Sequence, residues 1–584
     1  MKKLSFLIIL ALLPMVASAY DVYVDGIYYD LLEDEATVTY SAYDEYSASY
    51  TPSYRGNIVV PASIVFGGKT YSVTAISGGA FADCSELTSV VIPESVTSLG
   101  EEAFSSCVKL TTINIPGSVM SIGRNAFMNC SGLTSVTLGD GVAIIDNQAF
   151  WNCVNLTSVN LPNSMTSIGG RAFYNCKSLT GISIPGSVKS LGTSVFGNCS
   201  GIVSLTIGDG VTSIGNATFA GCTSLTSVLI PESVTKIDEA AFSGCSSLAS
   251  ITFPENVTSI GRLAFNGTAW FNKQPDGMVY AGRVAYKYKG KMPESTELTI
   301  REGTVQIAGE AFFECSGLTS ITIPEGLTSI GGSAFGRCNN LASVSIPESV
   351  TNIGATAFGA CSSLSSVTIP KNVTNISSGL FSGCTNLISV IIPEGVKSIG
   401  ETVFSRCTSL TSLTIPESVT SIGSFALFHC KSLTSLTISN GVTSIGYAAF
   451  SGCEGLKTVI ISKNMKSIDM GVFNACTSLT DVFCLAENVP QTANNAFEDS
   501  SIATATLHVL EGSVEKYQKS SVWGHFGSIV AIGDDDVIGD DGTGIRKPAD
   551  STLNGGEIYN PAGQRLGKTQ RGINIVNGKK VLLK

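Results

Sequence analysis

CSELTSVVIPESVTSLGEEAFSSC, residues 84 to 107, is followed at once by CVKLTTINIPGSVMSIGRNAFMNC, residues 107 to 130, which is the same pattern with substitutions. The pattern occurs about seventeen times with a period of 23 residues. A fixed period in this range indicates a solenoid, in which each unit stacks on the next. The repeated phenylalanine stands at positions 81, 104, 127, 150, 173, 196, 219, 242 and 265, and again at 312, 335, 358, 381, 404, 450 and 473, with Leu427 in the same column.

Each unit predicts one strand and one short turn. Val90 and Ile92 alternate with other residues as in a strand with one buried face, and Pro93 ends that strand because proline cannot donate to a ladder. Phe104 and Cys107, three residues apart, fit one helical or 3-10 turn with a buried side. Because one unit cannot bury its own apolar face, its neighbours must do so. The predicted fold is a β-rich α/β solenoid, a leucine-rich-repeat-like array of about seventeen units with β caps at both ends.

Two columns of identical side chains are expected to run along the solenoid, represented by Phe104, Phe127 and Phe358 and by Cys107, Cys130 and Cys361. Sixteen of the seventeen cysteines share one column. Stacked units would place equivalent Cα atoms about 5 Å apart, which a disulfide permits, but parallel Cβ vectors would leave the Cβ atoms beyond the ~3.8 Å that a disulfide needs. We interpret the cysteines as buried free thiols that act as small hydrophobic residues.

The stretch LTSITIPEGLTSIGGSAFGRC, residues 318 to 338, resembles the repeat of the BspA-like leucine-rich-repeat surface proteins of anaerobic, host-associated bacteria. The resemblance covers about residues 73 to 484. It implies a curved parallel-sheet solenoid, an exported protein at the cell surface or outside the cell, and adhesion or binding instead of catalysis.

The N-terminal residues MKKLSFLIILALLPMVASA predict a secretory signal peptide, with Ala17 and Ala19 at the cleavage site. A membrane-spanning helix fits less well, because the apolar run is short and Pro14 interrupts it. The formal net charge of −11 argues against nucleic acid and anionic membranes as partners. The predicted organisation is a signal peptide at 1–19, an N-terminal β cap at 20–72, repeat blocks at 73–268 and 298–484 around a divergent hairpin insertion at 269–297, a C-terminal cap at 485–532, an acidic linker at 533–548 and a β tail at 549–584.

The N-terminal cap carries nine tyrosines between Tyr20 and Tyr54. Asp25 and Gly26, between two apolar stretches, predict a hairpin turn. The tyrosines fit either a cap over the open end of the first unit or an aromatic platform for a glycan.

The insertion at 269–297 is the one aromatic and basic segment of an acidic chain. It fits either a binding site or a structural joint between the two repeat blocks. Alternation around Ala281 and Gly282 predicts a hairpin, and Leu298 and Ile300 return to the strand pattern. The candidate binding residues are Trp270, Phe271, Tyr280, Arg283, Tyr286, Lys287, Tyr288 and Lys289.

The C-terminal cap is predicted to contain a strand, a short helix, and Trp523 and Phe526 packed on the last unit. In the linker, Ile538 and Ile545 occupy places where a calcium loop needs oxygen ligands, so a calcium site is not expected. The tail, in which Asn577 and Gly578 predict a tight turn, resembles the C-terminal sorting segments of type IX secretion. A plain β tail is the alternative.

No catalytic, cofactor or metal motif occurs in the sequence, so we predict a non-enzyme without a cofactor. Only three histidines are present, and no C-x-x-C pair occurs. An acidic residue does recur after the strand, which predicts either solvated loop ends or a ridge that binds a basic partner or divalent cations. These residues are Glu94, Asp140, Asp209, Glu232, Glu255, Glu302, Glu325, Glu348, Glu394 and Glu417.

The outward positions of the strands predict a face of small hydroxyls that lacks the Trp, Tyr and Arg anchors of strong interfaces. Such a face favours many weak contacts multiplied along the array. We therefore predict adhesion to protein or glycan on a host or neighbouring cell. A structural surface protein without a specific ligand, or a glycan-binding module, is the alternative. The candidate residues on this face are Thr111, Thr134, Thr157, Thr319, Thr411 and Thr434.

Overall fold

The structure, a computed structural model, describes residues 20–44, 49–51 and 53–532, together with six short strands between residues 537 and 583. The predicted signal peptide, with Ala17 and Ala19, lies outside the described residues. The chain divides into two units, Met1–Pro275 with Val279–Val284, and Asp276–Met278 with Ala285–Lys584. Each unit is a solenoid of parallel strands, which confirms the predicted fold class.

A repeat contributes two strands to the solenoid, one more than the sequence predicted. The long strand comes from the L-T-S-V-x-I segment, and Ile113 on one such strand pairs in parallel with Val136 on the next. The short strand comes from the second apolar pair, and Ile122 pairs in the same way with Ile145. Both strands form because the V-T-S-I segment also alternates, with its isoleucine buried and its serine at the surface.

Within each unit, the long strands form a long-strand face and the short strands form a short-strand face. The long strands are Gly56–Val59, Leu87–Val91, Thr112–Ile115, Ser135–Leu138, Ser158–Val159, Gly181–Ile184, Ser204–Ile207, Ser227–Leu229 and Ser250–Thr252 in the first unit, and Thr296–Thr299, Leu318–Thr322, Ser366–Thr368, Ser389–Ile391, Ser435–Thr437, Thr458–Ile461, Asp481–Cys484, Thr506–Val509 and Ser528–Ala531 in the second. The short strands are Lys69–Ile76, Ser98–Leu99, Ser121–Ile122, Ile144–Ile145, Ser167–Ile168, Ser213–Ile214, Lys236–Ile237 and Ser259–Ile260, then Gln306–Ile307, Ser329–Ile330, Asn352–Ile353, Asn375–Ile376, Ser398–Ile399, Ser421–Ile422, Ser444–Ile445, Ser467–Ile468 and Gln491–Thr492.

The third side of each repeat is a chain of hydrogen-bonded turns, whereas the sequence predicted a helical or 3-10 turn. The Phe104 N–H donates to the carbonyl of Ala126 in the next repeat at 2.7 Å, while the Ser105 N–H donates within its own repeat to Glu102 at 2.9 Å. Alternate amides thus point in different directions, which a helix does not allow. Glu102 and Ser106 take φ values of 59° and 61° to achieve this.

The core is made of columns of identical side chains. The rings of Phe127 and Phe150 are stacked with centroids 5.1 Å apart and planes 1° apart. Most column thiols also have a partner, as where the Cys107 thiol donates to the carbonyl of Phe81 at 3.0 Å. All seventeen cysteines are free thiols, and all but the half-buried Cys315 are buried. Cys therefore satisfies a buried carbonyl as well as filling space, which explains its use better than hydrophobicity alone.

The N-terminal cap is built from strands Val22–Val24, Ile27–Leu32, Glu35–Thr39, Tyr43–Asp44, Ser49–Tyr50 and Ser63–Phe66. Val24 and Ile27 pair across Asp25 and Gly26, which confirms the predicted hairpin. Strand Gly56–Val59 pairs in parallel with Leu87–Val91. The first coil of the solenoid therefore begins within residues 20–72, before the predicted boundary.

The second unit ends in the C-terminal cap. Phe497 continues the phenylalanine column 5.2 Å from Phe473, and Trp523 and Phe526 pack against Phe497. Helix Val514–Gln518 places the Tyr517 hydroxyl 2.9 Å from the Ala486 carbonyl, to which it donates. Short 3-10 turns complete the cap at Ser501–Ala503, Glu511–Ser513 and Trp523–His525.

Beyond residue 532 the structure describes strands alone. Val537–Ile538 pairs with Ile545–Arg546, inside the predicted linker. In the tail, Ile558–Tyr559 pairs with Arg565–Leu566 and with Gly572–Val576, which in turn pairs with Lys579–Leu583. Asn577 and Gly578 lie outside the described residues, but the strands on either side pair antiparallel with Val576 opposite Lys579.

Candidate functional site

The long-strand face carries the predicted hydroxyls at its surface. Five of the six candidate threonines are exposed and Thr319 is half-buried. Their positions follow from the strand alternation, in which the valine and isoleucine of each strand point into the core. The exposed five are Thr111, Thr134, Thr157, Thr411 and Thr434.

The hydroxyl protons of three of the six candidates are bound within the solenoid. The Thr134 hydroxyl donates to the Thr111 carbonyl at 3.0 Å, and the Thr157 hydroxyl donates to the Thr134 carbonyl at 2.9 Å. The half-buried Thr319 makes the equivalent bond to the Thr296 carbonyl at 3.1 Å. A hydroxyl whose proton is already bound offers only its lone pairs outward. These threonines therefore present a row of hydrogen-bond acceptors.

The short-strand face carries a second row of hydroxyls that the sequence reasoning missed. The Thr212 hydroxyl donates to the Lys189 carbonyl at 2.9 Å, and the Thr235 hydroxyl donates to the Thr212 carbonyl at 3.4 Å. Thr328 and Thr420 make the same bond in the second unit. The signal was the repeated V-T-S-I segment, whose alternation has the same form as that of the long strand.

The acidic residues that recur after the long strand are exposed at all ten positions. In the first unit the Glu232 carboxylate lies 3.4 Å from the Asn256 amide nitrogen, and in the second unit the Glu348 carboxylate accepts from the backbone N–H of Lys371 at 3.1 Å. Among the described residues, no group of three His, Cys, Asp or Glu side chains is placed to hold a metal ion.

In the first unit, the insertion begins with helix Ala269–Asn272, which places Trp270 against the end of the phenylalanine column. The Trp270 ring packs edge-on against Phe265 at 5.3 Å and Phe253 at 5.4 Å. Among the other candidates of this part, Phe271 and Tyr280 are half-buried and Arg283 is exposed. Trp270 is thus a packing residue as well as a candidate.

In the second unit, strand Val284–Lys289 carries the remaining candidates. The Tyr288 ring lies 6.3 Å from Phe312, the first phenylalanine of the second column. The Lys287 ammonium donates to the Glu310 carbonyl at 2.8 Å, and burial lowers the pKa of Lys287. Lys289 is half-buried. Tyr286 is 3% exposed, so its place among the candidate binding residues is corrected, because a side chain packed in the core offers no surface to a ligand.

The strands Gly277–Ala281 and Val284–Lys289 are separated by Gly282 and Arg283, where the sequence predicted a hairpin. Gly282 has a φ of 57°, as a tight two-residue connection requires. At the end of the insertion, Leu298 pairs with Ile321, so the strand register returns where it was predicted.

The histidines do not form a triad with a nucleophile in the described part of the chain. His508 lies beside Asp481, with its Nε2 atom 3.0 Å from the carboxylate, and its ring stacks on Phe483 at 4.0 Å. Both contacts lie on one surface of the C-terminal cap. The contact between His508 and Asp481 therefore fits a structural role in the C-terminal cap.

A family model for the BspA type leucine rich repeat region matches residues 68–180, 166–273, 285–411 and 397–521, which is well over half of the chain. No curated protein matches the sequence. No helix in the described residues has the length and apolar character needed to cross a bilayer.

Two of the similar solved structures are leucine-rich-repeat proteins of bacteria. A leucine-rich repeat protein of Bacteroides ovatus is 26% identical, with 76% of this chain and 95% of that chain covered and a TM-score of 0.36. A leucine rich cell surface protein of Faecalibacterium prausnitzii is also 26% identical, with 75% and 93% covered and a TM-score of 0.32. Membership of this family suggests a role at a surface or in protein interaction. Since the family match extends over most of the chain, this chain belongs to the BspA-type leucine-rich-repeat family.

Proposed function

We propose that the protein is an exported adhesin, at the cell surface or outside the cell, that binds protein or glycan of a host or neighbouring cell through its long-strand face. The observation that carries the proposal is the row of exposed threonines, in which the hydroxyl protons of Thr134 and Thr157 are bound to the preceding repeat. The predicted signal peptide, with Ala17 and Ala19 at its cleavage site, supports export.

A row of acceptors suits a partner that is rich in donors, such as backbone N–H groups, sugar hydroxyls or lysine side chains. Short threonine side chains that are already held by a hydrogen bond lose little conformational freedom on binding. Each contact is weak, but the same contact recurs in successive repeats, so affinity grows by multivalency. This type of surface favours adhesion over the capture of a single small ligand.

The test replaces Thr134 and Thr157 by valine, which keeps the shape of the side chain and removes the hydroxyl. The matched control replaces Thr212 and Thr235, which make the same bond on the short-strand face. Both double variants should have a free energy of unfolding within about 1 kcal/mol of the parent's. The reason is that the backbone N–H groups of Thr134 and Thr235 still donate to the carbonyls that the lost hydroxyls bound.

Binding of the mature chain and both variants is then measured on immobilised collagen and on a glycan array. We expect the Thr134→Val and Thr157→Val variant to bind about threefold to tenfold more weakly than the parent, which corresponds to the loss of one to two weak hydrogen bonds. The control should bind as the parent does. Equal loss in both variants, or loss in the control alone, would show that the long-strand face is not the adhesive surface.

A further inference from the structure

Eight of the nine tyrosines of the N-terminal cap lie among the described residues, of which two are buried and six are half-buried or exposed. Tyr29 and Tyr54 are 1% and 3% exposed and close the core of the cap. Tyr54 also packs on Phe81 with ring centroids 4.6 Å apart, so it ends the phenylalanine column. These two residues account for the capping role. The other described tyrosines of the cap are half-buried or exposed.

Three of the surface tyrosines form one cluster on the hairpin. The Tyr28 ring lies 4.5 Å from the Tyr20 ring and 4.6 Å from the Tyr23 ring. Tyr23 and Tyr28 are cross-strand partners, and Tyr23 is 58% exposed. Burial of so exposed a ring contributes little to folding, and more than half of its surface is open to a ligand.

Hydrogen bonds and strand pairing fix the backbone that carries the cluster. The backbone N–H of Tyr28 donates to the Tyr54 hydroxyl at 3.1 Å, and that hydroxyl donates to the Thr39 carbonyl at 2.6 Å. The strand Ile27–Leu32 pairs on one side with Val22–Val24 and on the other with Glu35–Thr39. The rings therefore stand on a three-stranded support, which preorganises them for contact.

Two carboxylates border the rings. Asp30 is two residues from Tyr28 on the same strand, so its side chain is on the same face. Asp21 lies on the neighbouring chain segment. Its backbone N–H donates to the Tyr29 carbonyl at 2.9 Å, and its carboxylate accepts from the Leu31 N–H at 2.8 Å. A carboxylate has about four acceptor positions, so Asp21 is oriented by one bond and retains acceptor capacity.

We propose that Tyr20, Tyr23 and Tyr28, with Asp21 and Asp30, form a binding site for a neutral glycan. Aromatic rings pack against the C–H face of a pyranose, and carboxylates accept hydrogen bonds from its hydroxyls. The two carboxylates disfavour sialylated or sulfated sugars by charge repulsion. The site lies on the N-terminal hairpin and does not depend on the long-strand face.

The experiment is isothermal titration calorimetry of the mature chain with maltohexaose, cellohexaose and mannohexaose. At least one of these neutral sugars should bind. Tyr23→Ala should weaken that binding about tenfold, the effect of removing one aromatic contact, while Tyr23→Phe should retain most of it. Val65→Ala is the matched control, because Val65 is 65% exposed in the same cap and lies on strand Ser63–Phe66, outside the cluster.

Two outcomes would overturn the proposal. One is the failure of all three sugars to bind at millimolar concentration. The other is binding that Tyr23→Ala leaves unchanged. Titration with hexalysine distinguishes the competing explanation, since binding of that peptide without binding of any neutral sugar assigns the acidic, aromatic cluster to cations instead. Thr134→Val with Thr157→Val should not change the sugar titration, so failure of the adhesive proposal and failure of this one are distinguishable.

Discussion

The repeat array and the insertion at 269–297 use aromatic side chains in different ways. Within the array, neighbouring phenylalanine rings are parallel, as for Phe104 and Phe127 at 4.9 Å and 3°. In the insertion, Trp270 meets Phe265 at 68° and Tyr288 lies at 38° to Phe312. A stack of identical rings can continue indefinitely, whereas its end must be closed by a ring of another shape or orientation. The aromatic residues of the insertion close two columns.

The outer ends of the two columns follow the same rule. Tyr54 packs on Phe81 at 46° in the first unit, and Trp523 packs on Phe497 at 69° in the second. Each unit thus has a column of phenylalanines with a tyrosine at its first end and a tryptophan at its last. This comparison favours the structural interpretation for Trp270 and Tyr288.

The largest expected effect is the response of the whole array to alkaline pH. Burial raises the pKa of three column thiols, Cys361, Cys407 and Cys453, to about 12. Below pH 9 a thiol is protonated in both folded and unfolded chains, so stability is insensitive to pH. Above pH 9 the unfolded chain loses the proton and the folded chain does not. Stability therefore falls as pH rises toward the folded pKa, by about 1.4 kcal/mol per thiol per pH unit.

Urea unfolding of the mature chain, followed by circular dichroism with a non-thiol reductant present, should show a large loss of stability between pH 8 and pH 10. Replacement of Cys361, Cys384 and Cys407 by alanine should reduce that pH dependence. A pH dependence identical to that of the parent would contradict a buried thiol column.

The next effect concerns one interior ring. Phe358→Ala should cost about 3–5 kcal/mol, because it opens a cavity between the stacked rings of Phe335 and Phe381. Coupling in a solenoid is between neighbours, so limited proteolysis should first cleave near residues 340–380. Uniform unfolding of the chain without local cleavage would show that the repeats are coupled over a longer range.

A smaller loss is expected at the end of a column. Trp270→Ala should cost about 1.5–3 kcal/mol, since it removes a half-buried ring from Phe265 and Phe253 and leaves that end of the column less covered. Lys273→Ala, at the exposed residue that follows helix Ala269–Asn272, is the matched control and should leave the melting curve unchanged. If Trp270→Ala is neutral for stability, Trp270 does not close the column.

The solenoid, the columns and the N-terminal hairpin could be predicted because each repeats or concentrates a local signal. The period of 23 residues places Phe358 above Phe335 without any knowledge of the fold. The short strands of the repeats were missed because each is two residues long, as at Ser98–Leu99, and pairs only with its neighbours in adjacent repeats. Such a pairing becomes visible when units are stacked, not within one unit.

The candidate binding residues of the insertion could not be resolved by composition. Aromatic and basic residues together suggest a ligand site, but the same residues close a core when the chain leaves the repeat. Tyr286 and Lys287 are adjacent in sequence, yet the first is buried and the second reaches the Glu310 carbonyl with its ammonium. The register of strand Val284–Lys289 decides which of its side chains point inward. The segment occurs once in the sequence, so no second copy shows that register.

The smallest effect, and the one that joins the insertion to the array, is the reactivity of Cys315. This thiol begins the cysteine column of the second unit and is half-buried, whereas the other described cysteines are buried. Burial raises the pKa of Cys315 to about 11, and the nearby Lys287 ammonium lowers it by favouring the thiolate. Alkylation of the native chain should therefore begin at Cys315, with a rate that rises with pH up to about 11 because the thiolate is the nucleophile.

Lys287→Gln removes the charge, so the pKa of Cys315 should rise further and alkylation by iodoacetamide at pH 9 should slow about twofold to fivefold, as expected for a screened charge at a partly exposed thiol. Mass spectrometry of the labelled peptide measures the rate. Lys287→Arg keeps the charge and should restore most of the rate, which separates electrostatics from packing. Lys289→Gln is the control. A faster reaction in Lys287→Gln would mean that loss of the bond to Glu310 opens the segment, and the role of Lys287 would then be to fix the first coil of the second unit.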